Sequence, residues 1–163
     1  MEFDTGSARE ADLDGILVLM AANQPAHGGR LSACLPRERL LAMLDDLPFV
    51  VARRHGEVIG FLLTCSREMN TDVPVIRAML TAYPGDADAY VYGPICVATD
   101  ARGKGVALAM FDRLRQCLPG REGILFIRQD NPASLNAHAR MDMREVACFD
   151  FNGMAHRVFA YRG

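Results

Sequence analysis

The chain has 163 residues, of which half are hydrophobic and 23% are charged; this is enough for one well-buried domain and too little for two. Its formal net charge of −2 gives no electrostatic footprint for nucleic acid. No apolar run approaches the roughly 18–20 residues of a membrane span, and the N-terminus lacks the basic flank and apolar stretch of a signal peptide. We therefore expect one cytoplasmic domain over residues 1–163, binding neither nucleic acid nor membrane.

The cysteines are odd in number and never form a Cys-x-x-Cys pair, which argues against a zinc site and a disulfide framework. No metal site is predicted. Cys96 has a second interpretation, as a nucleophile, which would need a nearby base or cation. The five cysteines are Cys34, Cys65, Cys96, Cys117 and Cys148.

The first third of the chain predicts a strand ending near Ser7, then two helices. Asp12 is a candidate N-cap for the first helix, since an apolar stripe at helical spacing follows it. Pro25 and a Gly-Gly pair mark a loop over Gln24 to Arg30, and Pro36 opens the second helix. Phe49 to Arg53 and Val58 to Cys65 then read as a hairpin.

The middle of the chain predicts a short helix over Pro74 to Tyr83 and a strand over Tyr90 to Val97. Pro94 lies inside this strand, and because proline cannot donate a ladder hydrogen bond, it indicates an edge or a bulge. Apolar residues at helical spacing predict a helix over Leu108 to Leu118.

The last third predicts a strand, a helix and a hairpin. Ile124 to Ile127 is a short apolar strand, and Pro132 suits the first position of a helix. Glu145 to Phe151 and Met154 to Tyr161 flank Asn152-Gly153, a strong hairpin signal. The order of elements along the chain is that of a mixed α/β domain.

The segment between Val97 and Leu108 contains two glycines and two cations and has no acid after Asp100. Such a turn presents backbone N–H groups to an anion at the start of a helix, where the helix dipole also favours negative charge. It therefore predicts a site for a phosphorylated ligand, most simply a cofactor. The alternative is an ordinary turn with solvated Arg102 and Lys104.

The run Arg102-Gly103-Lys104-Gly105-Val106-Ala107 resembles the Arg/Gln-x-x-Gly-x-Gly/Ala signature of the GNAT N-acetyltransferase superfamily, and the order of predicted elements is also similar. The resemblance implies an α/β (α+β) fold with a mixed central sheet of six to seven strands flanked by about four helices. It implies that this run binds the pyrophosphate of acetyl-CoA. The pantetheine arm would follow Ile95, Cys96 and Val97, with a backbone N–H near Cys96 or Val97 donating to the oxyanion.

A second segment, Asn131 to Met143, resembles the family's Asn-x-x-Ser/Ala…Tyr/His pattern, with Asp142-Met143 replacing the common Gly-Phe. The resemblance implies that Asn131 hydrogen-bonds the pantetheine arm, that Ser134 contacts the cofactor, and that His138 protonates the leaving thiolate. From the residues alone, Asn131 is equally a turn or cap residue, and His138 is equally a helix residue bonded to a neighbour.

The resemblance implies direct transfer from acetyl-CoA to the amine of a small-molecule or peptide acceptor, and it leaves homodimer formation open. In the family, the corresponding strand often carries a glutamate that acts as the general base. Here this strand has no carboxylate, so Tyr92 or a bound water is the candidate base. Asp86 and Asp88 are either acceptor-binding acids or solvated turn residues. The loop over Gln24 to Arg30, with His27, occupies the family's acceptor-binding position.

Two other classes of function stay open. One is a sensor or interaction module that binds an acyl-CoA without turnover, which the missing carboxylate favours. The other is an enzyme with a different phosphorylated ligand, such as a nucleotide. Against the second, Gly103-Lys104 is followed by glycine rather than Ser/Thr, and no Gly-x-Gly-x-x-Gly lies near the N-terminus.

Overall fold

The computed structural model describes residues 2–24 and 35–163, so most of the predicted loop over Gln24 to Arg30, and Cys34, lie outside the described residues. The described helices are α1 Leu13–Ala22, α2 Arg37–Asp46, α3 Pro74–Ala82, α4 Val106–Cys117 and α5 Pro132–Ala139. The described strands are β1 Asp4–Ser7, β2 Val50–Arg54, β3 Glu57–Ser66, β4 Tyr90–Val97, β5 Glu122–Arg128, β6 Arg144–Phe151 and β7 Met154–Arg162.

The strands form a seven-stranded sheet in the order β1-β2-β3-β4-β5-β7-β6. β4 and β5 pair in parallel, through Tyr90 with Gly123 and Val91 with Ile124, whereas the β1–β2, β2–β3, β5–β7 and β6–β7 ladders are antiparallel. This confirms the predicted mixed sheet and α/β class. Pro94 was predicted to indicate an edge or a bulge, and the edge alternative is wrong, because β4 has a neighbour on each side; Pro94 lies beyond the two residues of β4 that pair with β5.

The backbone contacts divide the chain into two compact units, and the first comprises residues 1–64 and 93–117. In this unit α4 packs on β1 and β2, and α1 packs on α2. The apolar stripes of these helices supply its core together with β2 and β3, as the 3.6-residue periodicity predicts. Fully buried members include Leu13, Ile16, Leu40, Met43, Phe49, Phe61, Met110 and Leu114.

Asp12 directly precedes α1, as predicted, but its side chain does not cap the helix. It accepts hydrogen bonds from the Arg9 N–H at 2.8 Å and from Nε and Nη2 of Arg53 at 3.0 and 2.5 Å. Burial alone would raise the pKa of Asp12, but these hydrogen bonds outweigh it and lower the pKa. A nearly buried bidentate ion pair thus joins the start of α1 to β2.

The second unit comprises residues 65–92 and 118–163. β5 pairs with β7 along its whole length, and β6 and β7 form the predicted hairpin, with Asn152 and Gly153 both at positive φ (51° and 76°). Gly123 faces the ring of Tyr161 so closely that a Cβ on Gly123 would overlap ring atoms. A glycine is therefore required where β5 passes this tyrosine.

In the part of the chain that the structure describes, no helix has both the length and the apolar character needed to cross a bilayer. The same residues contain no group of three or more His, Cys, Asp or Glu side chains arranged to hold a metal ion.

Candidate functional site

The glycine-containing segment predicted to bind a phosphorylated ligand lies in the first unit, between β4 and α4. After Val97 the chain makes one turn of 3₁₀ helix over Thr99–Ala101, and α4 begins at Val106. The first i→i−4 backbone hydrogen bond of α4 runs from the Ala109 N–H to the Gly105 carbonyl at 3.0 Å. Amide groups earlier in α4 therefore precede the first i→i−4 bond and remain available to an anion. We call residues 102–107 the anion turn.

Gly103 and Gly105 give the anion turn its shape. Their φ angles are +74° and +82°, in the left-handed region where side chains are strained. A Cβ built on either residue meets no atom within 4 Å, so their open faces leave room for a ligand to approach the backbone. These residues fit an anion such as a diphosphate.

Both cations of the anion turn are exposed. Arg102 donates from Nε to the Val97 carbonyl at 3.1 Å and from Nη2 to Oδ1 of Asn23 at 2.6 Å. Lys104 is the only lysine in the sequence. Asp100, the acid nearest to the anion turn in sequence, pairs with Arg54 at 2.9 Å, and this hydrogen bond lowers the pKa of Asp100. The contact with Asn23 was not predicted, because an asparagine at a helix end reads as an ordinary cap.

Cys96 is buried in β4, and burial raises the pKa of its thiol to about 11 even though the Arg102 charge opposes the shift. Because the thiolate is the nucleophile, these observations oppose the interpretation of Cys96 as a nucleophile.

We expect iodoacetamide at pH 8 to alkylate Cys96 about 10²-fold more slowly than the exposed Cys148, since thiolate fraction controls the rate. Peptide mass spectrometry measures both rates in one sample, and the Cys96 rate should keep rising toward pH 11. Equal rates at pH 8 would argue for an activated thiolate.

The two predicted catalytic residues meet in the second unit. The Tyr92 hydroxyl lies 2.9 Å from Nε2 of His138, the centroids of their rings are 5.6 Å apart in an edge geometry, and each residue is only 4% exposed. Tyr92 comes from β4 and His138 from α5. We call them the Tyr–His pair.

The hydrogen bonds of His138 decide its tautomer. Nδ1 lies 2.8 Å from the Ser134 carbonyl oxygen, which can only accept, so Nδ1 carries a proton. Burial lowers the pKa of His138, although the bond to Ser134 opposes the shift, so the imidazole is neutral at pH 7. Nε2 is then an acceptor, and the Tyr92 hydroxyl donates to it. Burial also raises the pKa of Tyr92, so its phenol stays protonated.

Asn131 and Ser134 lie in the first turn of α5. Oδ1 of Asn131 accepts from the Ser134 N–H at 3.2 Å, so Asn131 is the N-cap of this helix. The Ser134 hydroxyl lies 3.3 Å from Nδ1 of His138. Of the residues predicted in this segment, the structure therefore brings Ser134 and His138 together and gives Asn131 the capping role.

Tyr161 of β7 was not predicted. Its hydroxyl is 2.5 Å from that of Tyr90, and its ring lies edge-on to Tyr92 with centroids 5.9 Å apart. Tyr161 thus packs behind the Tyr–His pair. Its only sequence signal is ordinary strand alternation, which also describes core tyrosines.

The two acids considered for acceptor binding differ in their contacts. Asp86 forms an ion pair with Arg162, and the backbone carbonyl of Asp88 accepts two hydrogen bonds from Arg121. These contacts favour the interpretation of Asp86 as a surface residue. The other acceptor-binding candidate, the loop with His27, lies outside the described residues.

Comparisons with known proteins bear on the family and the fold of the chain. Residues 16–143 match the model of the Acetyltransferase (GNAT) family. The fold is similar to an N-acetyltransferase of Staphylococcus aureus Mu50, with 18% identity, 99% of each chain covered and a TM-score of 0.69. It is also similar to the ribosomal-protein-S18-alanine N-acetyltransferase of Escherichia coli (12% identity, 99% of this chain and 94% of that chain covered, TM-score 0.69).

A third similar structure is a GNAT phosphinothricin acetyltransferase of Sinorhizobium meliloti in complex with acetyl-CoA, with 19% identity, 99% of this chain and 89% of that chain covered, and a TM-score of 0.72. No curated protein matches the sequence. Because the family model spans most of the chain and the solved structures share its fold, the chain belongs to the GNAT acetyltransferase family.

Proposed function

We propose that this protein is an N-acetyltransferase that transfers the acetyl group of acetyl-CoA to a primary amine. The observation that carries the proposal is the anion turn: two exposed cations and two glycines at positive φ directly before a helix of the GNAT fold. Acetyl-CoA supplies an activated acetyl thioester together with a diphosphate that such a turn can bind.

In this proposal Arg102, Lys104 and the backbone N–H groups of Gly103, Gly105, Val106 and Ala107 bind the diphosphate. Ile95, Cys96 and Val97 on β4 present backbone groups to the pantetheine arm and an N–H to the developing oxyanion. Ser134 also contacts the arm. Asn131 uses Oδ1 as a cap, and its Nδ2, which has no hydrogen bond to the described residues, donates to the arm.

The Tyr–His pair moves the proton. The Tyr92 hydroxyl takes a proton from the attacking amine while its own proton passes to Nε2 of His138, so the tyrosine is neutral before and after the step. The same path then runs in reverse, and His138 returns the proton through Tyr92 to the leaving thiolate. This path replaces the general base that a carboxylate would supply. A tyrosine hydrogen-bonded to a neutral imidazole accepts a proton without becoming a tyrosinate.

The proposed acceptor is a small-molecule or peptide amine. The GNAT neighbours support both classes, since one is named for phosphinothricin and another for the alanine of a ribosomal protein.

Titration calorimetry with acetyl-CoA tests the proposal. The wild type should bind, and Arg102→Ala/Lys104→Ala should bind about 30-fold more weakly, or about 2 kcal/mol, since two exposed charge-assisted contacts are lost. Arg113→Ala/Arg115→Ala removes the same charge from exposed positions of α4 outside the anion turn, and should leave affinity within about twofold.

Release of free thiol with a panel of amines then tests turnover. Failure of the wild type to bind acetyl-CoA would overturn the assignment. Binding without thiol release from any amine would favour the acyl-CoA sensor instead.

A further inference from the structure

The side chain of Asn23, directly after α1, is buried and hydrogen-bonded at both ends. Nδ2 donates to the Leu19 carbonyl at 2.9 Å, one of the carbonyls left without an amide partner at a helix C-terminus. Oδ1 accepts from Nη2 of Arg102 at 2.6 Å. Asn23 is 5% exposed, and its bond to the helix end fixes the orientation of the amide. The amide therefore offers Arg102 an acceptor of fixed orientation.

Arg102 is held from two directions. Its Nε donates to the carbonyl of Val97, at the end of β4, and its Nη2 donates to Asn23. A guanidinium has five N–H donors in one plane, and these two bonds define that plane. Nη1 makes no hydrogen bond to the described residues. The group is therefore oriented by the protein while donors remain for an anion.

We propose that Asn23 is a positioning residue for the anion turn, which holds the Arg102 guanidinium in the orientation that binds the diphosphate. The inference rests on the proposed function. An arginine that is already immobile loses less side-chain freedom when it binds, so part of the entropic cost of binding is removed beforehand.

The choice of an amide matters in this arrangement. A carboxylate at position 23 would orient the guanidinium equally well but would neutralise the charge that attracts the diphosphate. The amide oxygen accepts a hydrogen bond and leaves that positive charge intact. The nearby Asp100 has its own partner in Arg54.

Calorimetry with acetyl-CoA tests this role. Asn23→Ala should weaken binding roughly three- to tenfold, and in an Arg102→Ala background the same substitution should have no further effect. Thr81→Ala is the matched control, because it also removes a side-chain hydrogen bond to a helix carbonyl, from the Thr81 hydroxyl to Arg77 at 2.9 Å, and this bond does not involve Arg102. We expect this control to bind like the wild type.

Asn23→Asp keeps the size of the side chain, and it tests the positioning role of Asn23 if the alanine variant does not fold. It should weaken binding at least about tenfold at low ionic strength, because its carboxylate competes with the diphosphate for Arg102. Unchanged affinity in Asn23→Asp, or in a folded Asn23→Ala, would overturn the proposal. So would an equal loss with and without Arg102. A wild type that does not bind acetyl-CoA would instead overturn the proposed function itself.

Discussion

Tyr92→Phe should lower the turnover number about 10²- to 10⁴-fold, the range that general acid–base catalysis contributes, while leaving the affinity for acetyl-CoA unchanged. The substitution removes only the hydroxyl that donates to Nε2 of His138 at 2.9 Å. The ring remains to pack edge-on against Tyr161. The measurement is thiol release at saturating acetyl-CoA, with an amine that supports turnover in the wild type.

Tyr161→Phe is the matched control. It removes a hydroxyl from the same aromatic cluster, bonded to Tyr90 rather than to His138, and should leave turnover within a few fold. Wild-type turnover in Tyr92→Phe, or an equal loss in Tyr161→Phe, would exclude the Tyr–His pair as the proton path.

The pH profile gives an independent readout of the same pair. The proposed proton path needs neutral His138, and burial lowers the pKa of that imidazole below its ordinary value of about 6.5. Turnover should therefore be retained down to pH values below the usual histidine range and fall as the pH drops through the lowered pKa. In Tyr92→Phe the remaining turnover should lack this acid limb, because Nε2 no longer takes part.

Arg53→Ala should lower the free energy of unfolding by about 3–5 kcal/mol at pH 7, the cost of leaving one partner of a buried ion pair unpaired. The side chains of Arg53 and Asp12 are only 13% and 7% exposed. Without Arg53 the Asp12 carboxylate keeps one backbone hydrogen bond, from Arg9. Urea denaturation at neutral pH measures the loss.

Arg128→Ala serves as the matched control, because Arg128 and Asp130 form a bidentate pair of similar geometry with exposures of 43% and 44%. Loss of that exposed pair should cost no more than about 1 kcal/mol. Equal losses in the two variants would show that burial of the Asp12–Arg53 pair does not matter.

The dependence of folding stability on pH in the acid range follows from the direction of the Asp12 pKa shift. Because the folded pKa is lowered, Asp12 contributes stability above its unfolded pKa of about 3.9, and this is lost as pH falls through the folded pKa. Arg53→Ala should flatten the curve in this acid range, since the lowered pKa depends on Arg53.

Local pattern predicted most of the fold. Tyr90–Val97 was predicted and found with identical bounds, because β-branched and aromatic residues there are followed by a turn rich in glycine. The hairpin at Asn152-Gly153 was likewise confirmed, since both residues readily adopt positive φ. The family resemblance could single out residues 102–107 as a candidate for the same reason: these residues are contiguous.

The contacts between residues far apart in sequence could not be predicted in this way. Asp12 meets Arg53, Tyr92 meets His138 and Asn23 meets Arg102 across 41, 46 and 79 positions of sequence. By local pattern alone, Asp12 is interpreted as a helix cap, Tyr92 as a strand tyrosine and Asn23 as the end of a helix. Only the packing of distant elements brings these pairs together, and packing leaves no short-range periodicity in a single sequence.

The exposed lysine of the anion turn has a consequence for the chemistry of the whole molecule. All the other side chains among the 18 lysines and arginines are arginine, and a guanidinium remains protonated where an amine can become nucleophilic. An acetyltransferase of this composition offers its own acetyl donor a single side-chain amine, at Lys104. Among side-chain amines, self-acetylation is thereby confined to one position, and acetylation there would remove a charge from the anion turn, so the mass of one peptide would report it.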